Sequence, residues 1–389
     1  MEGSRVTYIV VQPGDTVADL AARYNMSHDD LARLNRGLQG VAAGDVIKVA
    51  EQEPDFRMPR VRTHFVLGFY TGPMGVNMPG SQSSFARQSA LLSAIAPYWF
   101  DLDAKAPGNI KPRVTPTQIR ELVADAHRRN VKILASIHNT DRVSGVSRVE
   151  LAHSVMTAHR MTFFRNLFAL LSEYGFDGVN LDIEHLSEGD RGLYTEFVRD
   201  LTERAHRQGK LVTVDVLGDA RKEPYSLDFD YPGLSAAVNY LGIMTYDQFK
   251  PSEAAPGPVA SLPWVEETLQ RALQEGVPPE KILLGIPAYG YDWTVGQPGA
   301  RALSYEAVER LRNQHKSVVS FHPTFKVPHL TYADGKGQQH EVWYENARSI
   351  SLKLDLVRKY GLGGIIFWRL GLEDPAAWGV LRAKLSPIE

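Results

Sequence analysis

The stretch Phe176-Asp177-Gly178-Val179-Asn180-Leu181-Asp182-Ile183-Glu184 follows a long amphipathic helical pattern and alternates apolar with polar side chains. A period of two is that of a β-strand, whose successive side chains point to opposite faces. Asn180, Asp182 and Glu184 therefore share one face, and Val179, Leu181 and Ile183 the other. Two carboxylates and an amide converge on a strand with a strongly apolar back. Such grouping is costly unless chemistry uses it, because close carboxylates raise one another's pKa. A carboxyl kept protonated near neutral pH can act as an acid. A strand end that merely caps the next helix would explain one carboxylate, but not the whole run.

Around this stretch, from residue 61 onward, the chain repeats one theme: a short apolar run followed by a longer helical pattern. The runs begin near His64, Ala94, Val131, Phe176, Leu211, Tyr240, Ile282 and Gly363. Continuous apolar strands alternating with helices mark a parallel sheet covered by helices. Helical spacing is plain at Ile119, Leu122, Val123 and Ala126, and again at Phe163, Phe164, Leu167, Leu170, Leu171 and Tyr174 before Gly175. Phe197, Leu201 and Ala205 run to Gly209, and Ala347, Ile350, Leu354 and Val357 to Gly361, each glycine suiting a helix C-terminus. Eight strand-helix units give an α/β fold, a (β/α)8 TIM barrel somewhat larger than the roughly 250-residue norm. The surplus lies between the seventh and eighth runs. There, about 293–341, a helical pattern (Tyr305 to Gln314) and a hairpin turning at Asp334-Gly335 predict a small α+β insertion on the C-terminal face of the barrel.

If the barrel reading holds, the C-terminal strand ends line one cavity. Those ends carry Tyr70, Trp99 and Asp101, His138 and Asn139, Asp182 and Glu184, Thr245-Tyr246-Asp247, Tyr289, and Trp368. Aromatic faces beside carboxylates suit sugar rings, whose C-H groups pack on π surfaces while their hydroxyls need acceptors. Any one of these aromatics could be core; their coincidence at strand ends weakens that reading.

Residues 6–49 read as a separate unit: a strand (Tyr8 to Val11), a turn at Pro13-Gly14-Asp15, two short helices and a closing strand Val46 to Val49. Thr16 and Ser27 stand where helix N-caps belong. The domain reading is 1–50 for this unit, 51–60 for a polar linker, and 61–389 for the barrel.

In 389 residues, 43 basic and 45 acidic side chains nearly cancel, so no basic field argues for nucleic acid or an anionic membrane. Cysteine is absent, which removes disulfides and thiolate chemistry, and the twelve histidines form no His-Glu-x-x-His pair. The longest apolar run, near Leu91 to Phe100, is broken by Ser93 and Pro97 and is too short to span a bilayer. Neither the pattern of a cleavable signal peptide nor a membrane partner is expected.

Asp177-Gly-Val-Asn-Leu-Asp-Ile-Glu184 resembles the Asp-Gly-x-Asp-x-Asp-x-Glu signature of the family 18 glycoside hydrolases, the chitinases and their relatives. Met244-Thr245-Tyr246-Asp247 resembles that family's sixth-strand motif and Gly364-Ile365-Ile366-Phe367-Trp368 its eighth, so the likeness spans the barrel. It implies Glu184 as general acid and base, Asp182 as the group that orients and charges against the substrate acetamide, and Tyr246 as its hydrogen-bond donor. Trp368 would floor the sugar site and Asp247 would contact hydroxyls, with Asn180 as a further substrate-side candidate; Asn139 is a candidate on its strand-end location alone. The implied mechanism is substrate-assisted, needing neither metal nor organic cofactor. Asn180 stands where most of the family carries Asp; its amide is expected to donate to Asp182 and hold it ionised.

The N-terminal unit is similar to a LysM domain, through Tyr8-x-Val10-x-x-Gly-Asp-Thr, Ala21-x-x-Tyr24, Leu31-x-x-Leu34-Asn35 and Gly44-Asp45-x-Ile47-x-Val49. That likeness implies an anchor to peptidoglycan or a chitin-like N-acetylglucosamine polymer, with contacts from Gly14, Asp15 and Thr16 and from the 39–43 loop. Turn chemistry alone also accounts for Gly14 and Asp15. The combination looks most like the spore cortex-lytic N-acetylglucosaminidases, implying cleavage after N-acetylglucosamine at the spore cortex, coat or cell wall. A chitinase and a non-catalytic, lectin-like barrel are the alternatives.

Overall fold

In the computed structural model, residues 4–24, 26–35, 38–52, 64–140, 147–218 and 229–385 are described. The apolar runs become β1 (Phe65–Tyr70), β2 (Ala94–Pro97), β3 (Lys132–His138), β4 (Gly178–Asp182), β5 (Leu211–Leu217), β6 (Tyr240–Met244), β7 (Ile282–Pro287) and β8 (Gly364–Trp368). All pair in parallel with their neighbours, and the ring closes where β8 meets β1 and β2 meets β3. Alternation along each strand explains why the runs are apolar nearly throughout. Phe65, Leu67, Ala94, Ala96, Leu134, Leu283 and Ile366 pack together in one cluster inside the barrel, while Val66, Ile95, Ile133, Val179 and Ile365 pack in the larger cluster under the helices. Gly178 and Gly364 open their strands because a Cβ there would fall 2.1 Å from the Leu211 carbonyl oxygen and 1.9 Å from that of Phe65.

The second run is interrupted. β2 ends at Pro97, and after Tyr98-Trp99 a short strand Phe100–Leu102 resumes parallel pairing with β3. Tyr98 is thereby turned toward the ends of β3 and β8, stacking on His138 at 3.8 Å and meeting Trp368 edge-on at 5.1 Å.

Helix boundaries follow local chemistry. Helix Pro116–Arg128 starts with a Thr115/Gln118 capping box and proline in its first turn. Helices Arg160–Tyr174 and Ala347–Tyr360 end on Gly175 and Gly361 in the left-handed conformation, at φ 77° and 64°.

The insertion differs in extent from the sequence expectation. β7 ends at Pro287, and Tyr289 is not its last residue but the first of a separate strand, Tyr289–Thr294. That strand joins a five-stranded sheet with Arg301–Ser304, Gln339–Tyr344, Pro328–Ala333 and Ser320–Phe321, packed with helix Tyr305–His315. The apolar run masked the break, since Ile-Pro-Ala-Tyr carries no turn residue besides proline. The hairpin forms at Asp334, whose carboxylate accepts from the Lys336 and Gln338 amides.

The N-terminal unit pairs Ser4–Val10 with Val46–Gln52 antiparallel, with helices Val17–Arg23 and His28–Leu34 packed over Ile9, Val11, Leu20, Leu31, Ile47 and Val49. Its closing strand takes up residues 51 and 52 of the expected linker; the remainder, 53–60, lies outside the described residues. Ser27 caps the second helix and the Thr16 hydroxyl accepts from the Asp19 amide. Tyr8 packs on helix Ala377–Lys384 so closely that a Cβ on Gly379 would fall 2.3 Å from its Cβ.

Where the insertion returns to the barrel, Glu345 and Lys353 form an ion pair at 2.8 Å with side chains 1% and 0% exposed. The Ser349 hydroxyl donates to the same carboxylate at 2.6 Å. Burial pushes Glu345 up and Lys353 down against their mutual attraction, so the pair is sensitive to loss of either member. Lys353→Met should cost about 3–5 kcal/mol in urea denaturation by leaving a buried carboxylate alone. The double substitution Glu345→Leu/Lys353→Met should cost less than either single change.

Candidate active site

The polar residues of the barrel interior gather at the C-terminal ends of β3 to β6. Asn180 is wholly buried and Asp182 is 3% exposed, whereas Glu184, two residues beyond β4, is partly exposed. Asp182 is held well above the ordinary carboxylate range, first by burial and then by the Glu184 and Asp215 charges. Burial also raises Glu184, helped by Asp247 and opposed by Arg148 and Lys250. The site thus sets at its accessible edge a carboxyl whose protonated form burial favours, with a second such acid behind it.

Asn180 does not act as the sequence suggested. Its amide nitrogen donates to the Thr213 hydroxyl at 3.0 Å and to Asp215 Oδ2 at 2.7 Å, and its oxygen accepts from the Ser136 hydroxyl at 3.0 Å. Both N–H groups are used on β5, so none reaches Asp182, whose Oδ1 has no hydrogen-bond partner. Asp182 is pushed up, not held ionised. Nor can a wholly buried Asn180 serve as a substrate contact.

Asn139 is also corrected. It is fully buried, accepts from the Glu184 amide at 3.1 Å and donates to the His185 carbonyl at 3.2 Å. Its part is to fix the backbone that carries Glu184 and not to touch a ligand.

Tyr246 and Asp247 follow β6 and are partly exposed, with Asp247 in the left-handed conformation at φ 57°. Burial and the surrounding carboxylates keep the Tyr246 phenol protonated, a donor at any physiological pH. Asp247 Oδ1 accepts from the Tyr289 hydroxyl and from the Tyr291 hydroxyl at 2.8 Å. Trp368 stands partly exposed between Phe69 and Tyr98. At the end of β3, His138 Nδ1 lies 3.0 Å from Asp101 Oδ1, and Arg113 pairs with the same carboxylate. Burial outweighs Asp101 and lowers the His138 pKa.

Sequence reasoning passed over Ser136, Thr213, Asp215, Tyr98 and Tyr291. A signal existed for two of them: alternation in Leu211-Val212-Thr213-Val214-Asp215 places Thr213 and Asp215 on the same inward face. Gly14, Asp15 and Thr16 lie apart, on the N-terminal unit. There Gly14 adopts φ 90°, Asp15 accepts from the Gln12 amide, and Thr16 caps a helix.

The sequence profile of glycosyl hydrolases family 18 matches residues 63–373, all eight barrel strands with the insertion. The chain belongs to this family. Residues 9–50 match the LysM domain. Among family relatives, the putative sporulation-specific glycosylase YdhD of Bacillus subtilis (strain 168) is 31% identical over 95% of this chain and 85% of its own length. The cortical fragment-lytic enzyme of Bacillus anthracis is 28% identical over 73% of this chain and 66% of its own. Of solved structures, the Bacillus cereus spore cortex-lytic enzyme SleL superposes with a TM-score of 0.76 at 25% identity, covering 97% of this chain and 86% of that one. A chitinase from Chromobacterium violaceum ATCC 12472 gives 0.74 at 31% identity, covering 82% and 98%. The family 18 barrel makes the chain a glycoside hydrolase. Among the described residues no helix is long and apolar enough to cross a membrane.

The electrostatics of this family 18 site have a measurable consequence. The Asp247 charge helps keep Glu184 protonated. Asp247→Asn should therefore lower the Glu184 pKa and move the alkaline limb of the kcat/KM profile to lower pH, read from initial rates on a soluble N-acetylglucosamine oligosaccharide.

Proposed function

We propose that the chain cleaves β-1,4 bonds after N-acetylglucosamine in peptidoglycan of the spore cortex type, by a retaining, substrate-assisted mechanism. The observation that carries this reading is the pairing of a partly exposed Glu184, its pKa raised by burial, with the buried Asp182 carboxyl at the end of β4. The Glu184 proton passes to the leaving glycosidic oxygen while the carbonyl oxygen of the substrate's own 2-acetamido group attacks C1, breaking the C1–O bond. This is the substrate-assisted exception to hydrolysis by two protein carboxylates. Asp182 accepts the acetamide N–H and offsets the positive charge of the resulting oxazolinium ion, and Tyr246 donates to the acetamide oxygen. Water then adds to C1, breaking the C1 bond to the acetamide oxygen and restoring the acetamide, and gives a proton to Glu184, restoring the acid. Trp368 floors the sugar and Asp247 meets its hydroxyls.

The LysM unit supports a polymeric, N-acetylglucosamine-containing substrate, and likeness to the Bacillus sporulation and cortex-lytic proteins supports cortex peptidoglycan in a spore or cell-wall setting. The turn Gly14-Asp15-Thr16 would contribute to that anchor. Chitin is the second reading, favoured by the likeness to the Chromobacterium chitinase. Comparing release from cortex peptidoglycan and from chitin separates the two.

Glu184→Gln keeps shape and removes the proton, so turnover should fall by about 10²- to 10⁴-fold, with sugar binding retained in calorimetry. Asp182→Asn and Tyr246→Phe should lower turnover too. A folded Glu184→Gln protein with near-normal turnover would remove Glu184 from the mechanism.

The bond follows from the nucleophile. Muramic δ-lactam ties its nitrogen into a ring and cannot place an acetyl oxygen beneath C1, and N-acetylmuramic acid adds a lactyl arm at C3. N-acetylglucosamine has neither obstacle. Mass spectrometry of cortex fragments should show new N-acetylglucosamine reducing ends, and early proton NMR the β-anomer, since two inversions at C1 retain configuration. New muramic reducing ends would refute the bond assignment; an initial α-anomer would refute the mechanism.

A further inference from the structure

The inward face beside the motif holds a carboxyl that the motif does not contain. β4 and β5 pair in register, Asn180 with Thr213 and Leu181 with Val214. The next rung therefore sets Asp215 beside Asp182, on the same inward face. Both are buried, at 0% and 3% exposure. Like charges on facing rungs repel, and without water their repulsion is stronger.

The fold nevertheless makes room for Asp215. A Cβ on Gly242, its partner on β6, would fall 2.2 Å from Asp215 Oδ1. Asn180 holds the other carboxyl oxygen, with its own orientation set by the Ser136 and Thr213 hydroxyls. Asn180 is thus a strut between the strands, joined to Asp215 and not to Asp182.

We propose that Asp215 is the acid partner of Asp182, supplying from β5 the carboxyl absent at position 180, and that the two exchange one proton during turnover. This rests on the functional reading above. When the acetamide N–H arrives and positive charge develops, the proton on Asp182 passes to the Asp215 carboxylate. Asp182 is left ionised to accept the N–H, and the proton returns when product leaves. Asp215 touches no substrate and is a positioning residue.

The groups bearing on Asp215 come from each surrounding element. Asp182 and Glu184 follow from β4, Tyr246 from the end of β6, and Tyr194 from helix Arg191–His206. Asp247, Arg148 and Lys250 act through Glu184. Burial, helped by the Glu184 charge and opposed by the Asn180 hydrogen bond, pushes Asp215 up to about 7. Its ionisation thus falls in the range where turnover is measured.

The test uses the full chain on soluble N-acetylglucosamine oligosaccharides. Asp215→Asn keeps an acceptor for Asn180 but cannot take the proton. Its kcat should fall about ten-fold or more, KM should stay within about two-fold, and the acidic limb of the kcat profile should disappear. The exchanged pair Asn180→Asp/Asp215→Asn returns an acid to β4 and should recover both the rate and the limb. Wild-type rate and pH profile in Asp215→Asn, or an exchanged pair no more active than that single variant, would overturn the proposal. Infrared titration of protonated carboxyls needs no turnover. The wild type should lose one buried band near neutral pH that Asp215→Asn lacks, and absence of such a band in the wild type overturns the proposal even where a variant does not fold. Failure of the functional reading looks different, as a wild-type chain that cleaves none of the oligosaccharides.

Discussion

Three carboxyls, Asp182, Glu184 and Asp215, are packed into the mouth of a barrel whose lower interior is apolar, and the site depends on their mutual repulsion in a medium with little water. Burial makes ionisation costly and each charge makes the next more so. This constraint favours the protonated form of the carboxyl that a glycosidase uses as its acid. The apolar floor built from Phe65, Leu67, Leu134 and Leu283 keeps water away from below. The opposing terms are few and local: the Asn180 amide on Asp215, and Arg148 and Lys250 near Glu184.

The insertion belongs to this electrostatic arrangement and does not merely shelter it. Tyr289 and Tyr291, from its first strand, donate to Asp247, and Asp247 in turn raises Glu184. The insertion's return is secured by the buried Glu345–Lys353 pair and by the Ala347 amide, which donates to Asp374 at 2.8 Å. A segment that reads in sequence as a surface flap therefore reaches the proton donor through two hydrogen bonds and one charge. Asn139 performs the matching service on the other side, fixing the backbone at 184 and 185.

The LysM unit has its own core, and it also rests on the last helix through Tyr8 and Gly379. Substrate capture and cleavage on one chain raise the local concentration of scissile bonds without altering the chemistry.

The sequence by itself determined the barrel, the inward face of Asp182 and Glu184, and the caps and glycine ends of the helices, because each is written in a local period or a few adjacent residues. Two-residue alternation assigns a face, and eight repeats of strand and helix leave few ways to close a sheet. Lateral partners are a different matter. That Asn180 binds Asp215 and not Asp182 depends on the β4–β5 register and on the space Gly242 leaves, neither of which alternation encodes. The same holds for Asn139, whose position at a strand end suggested a ligand contact until the turn of the chain after Asp182 closed over it. The break after Pro287 was likewise hidden, since Tyr289 read as the end of a barrel strand until the pairing of Gly290 with Tyr344 drew it into another sheet. Tertiary structure decided these points because hydrogen-bond partners across strands are chosen by distance in space, which the order of residues along one strand does not contain.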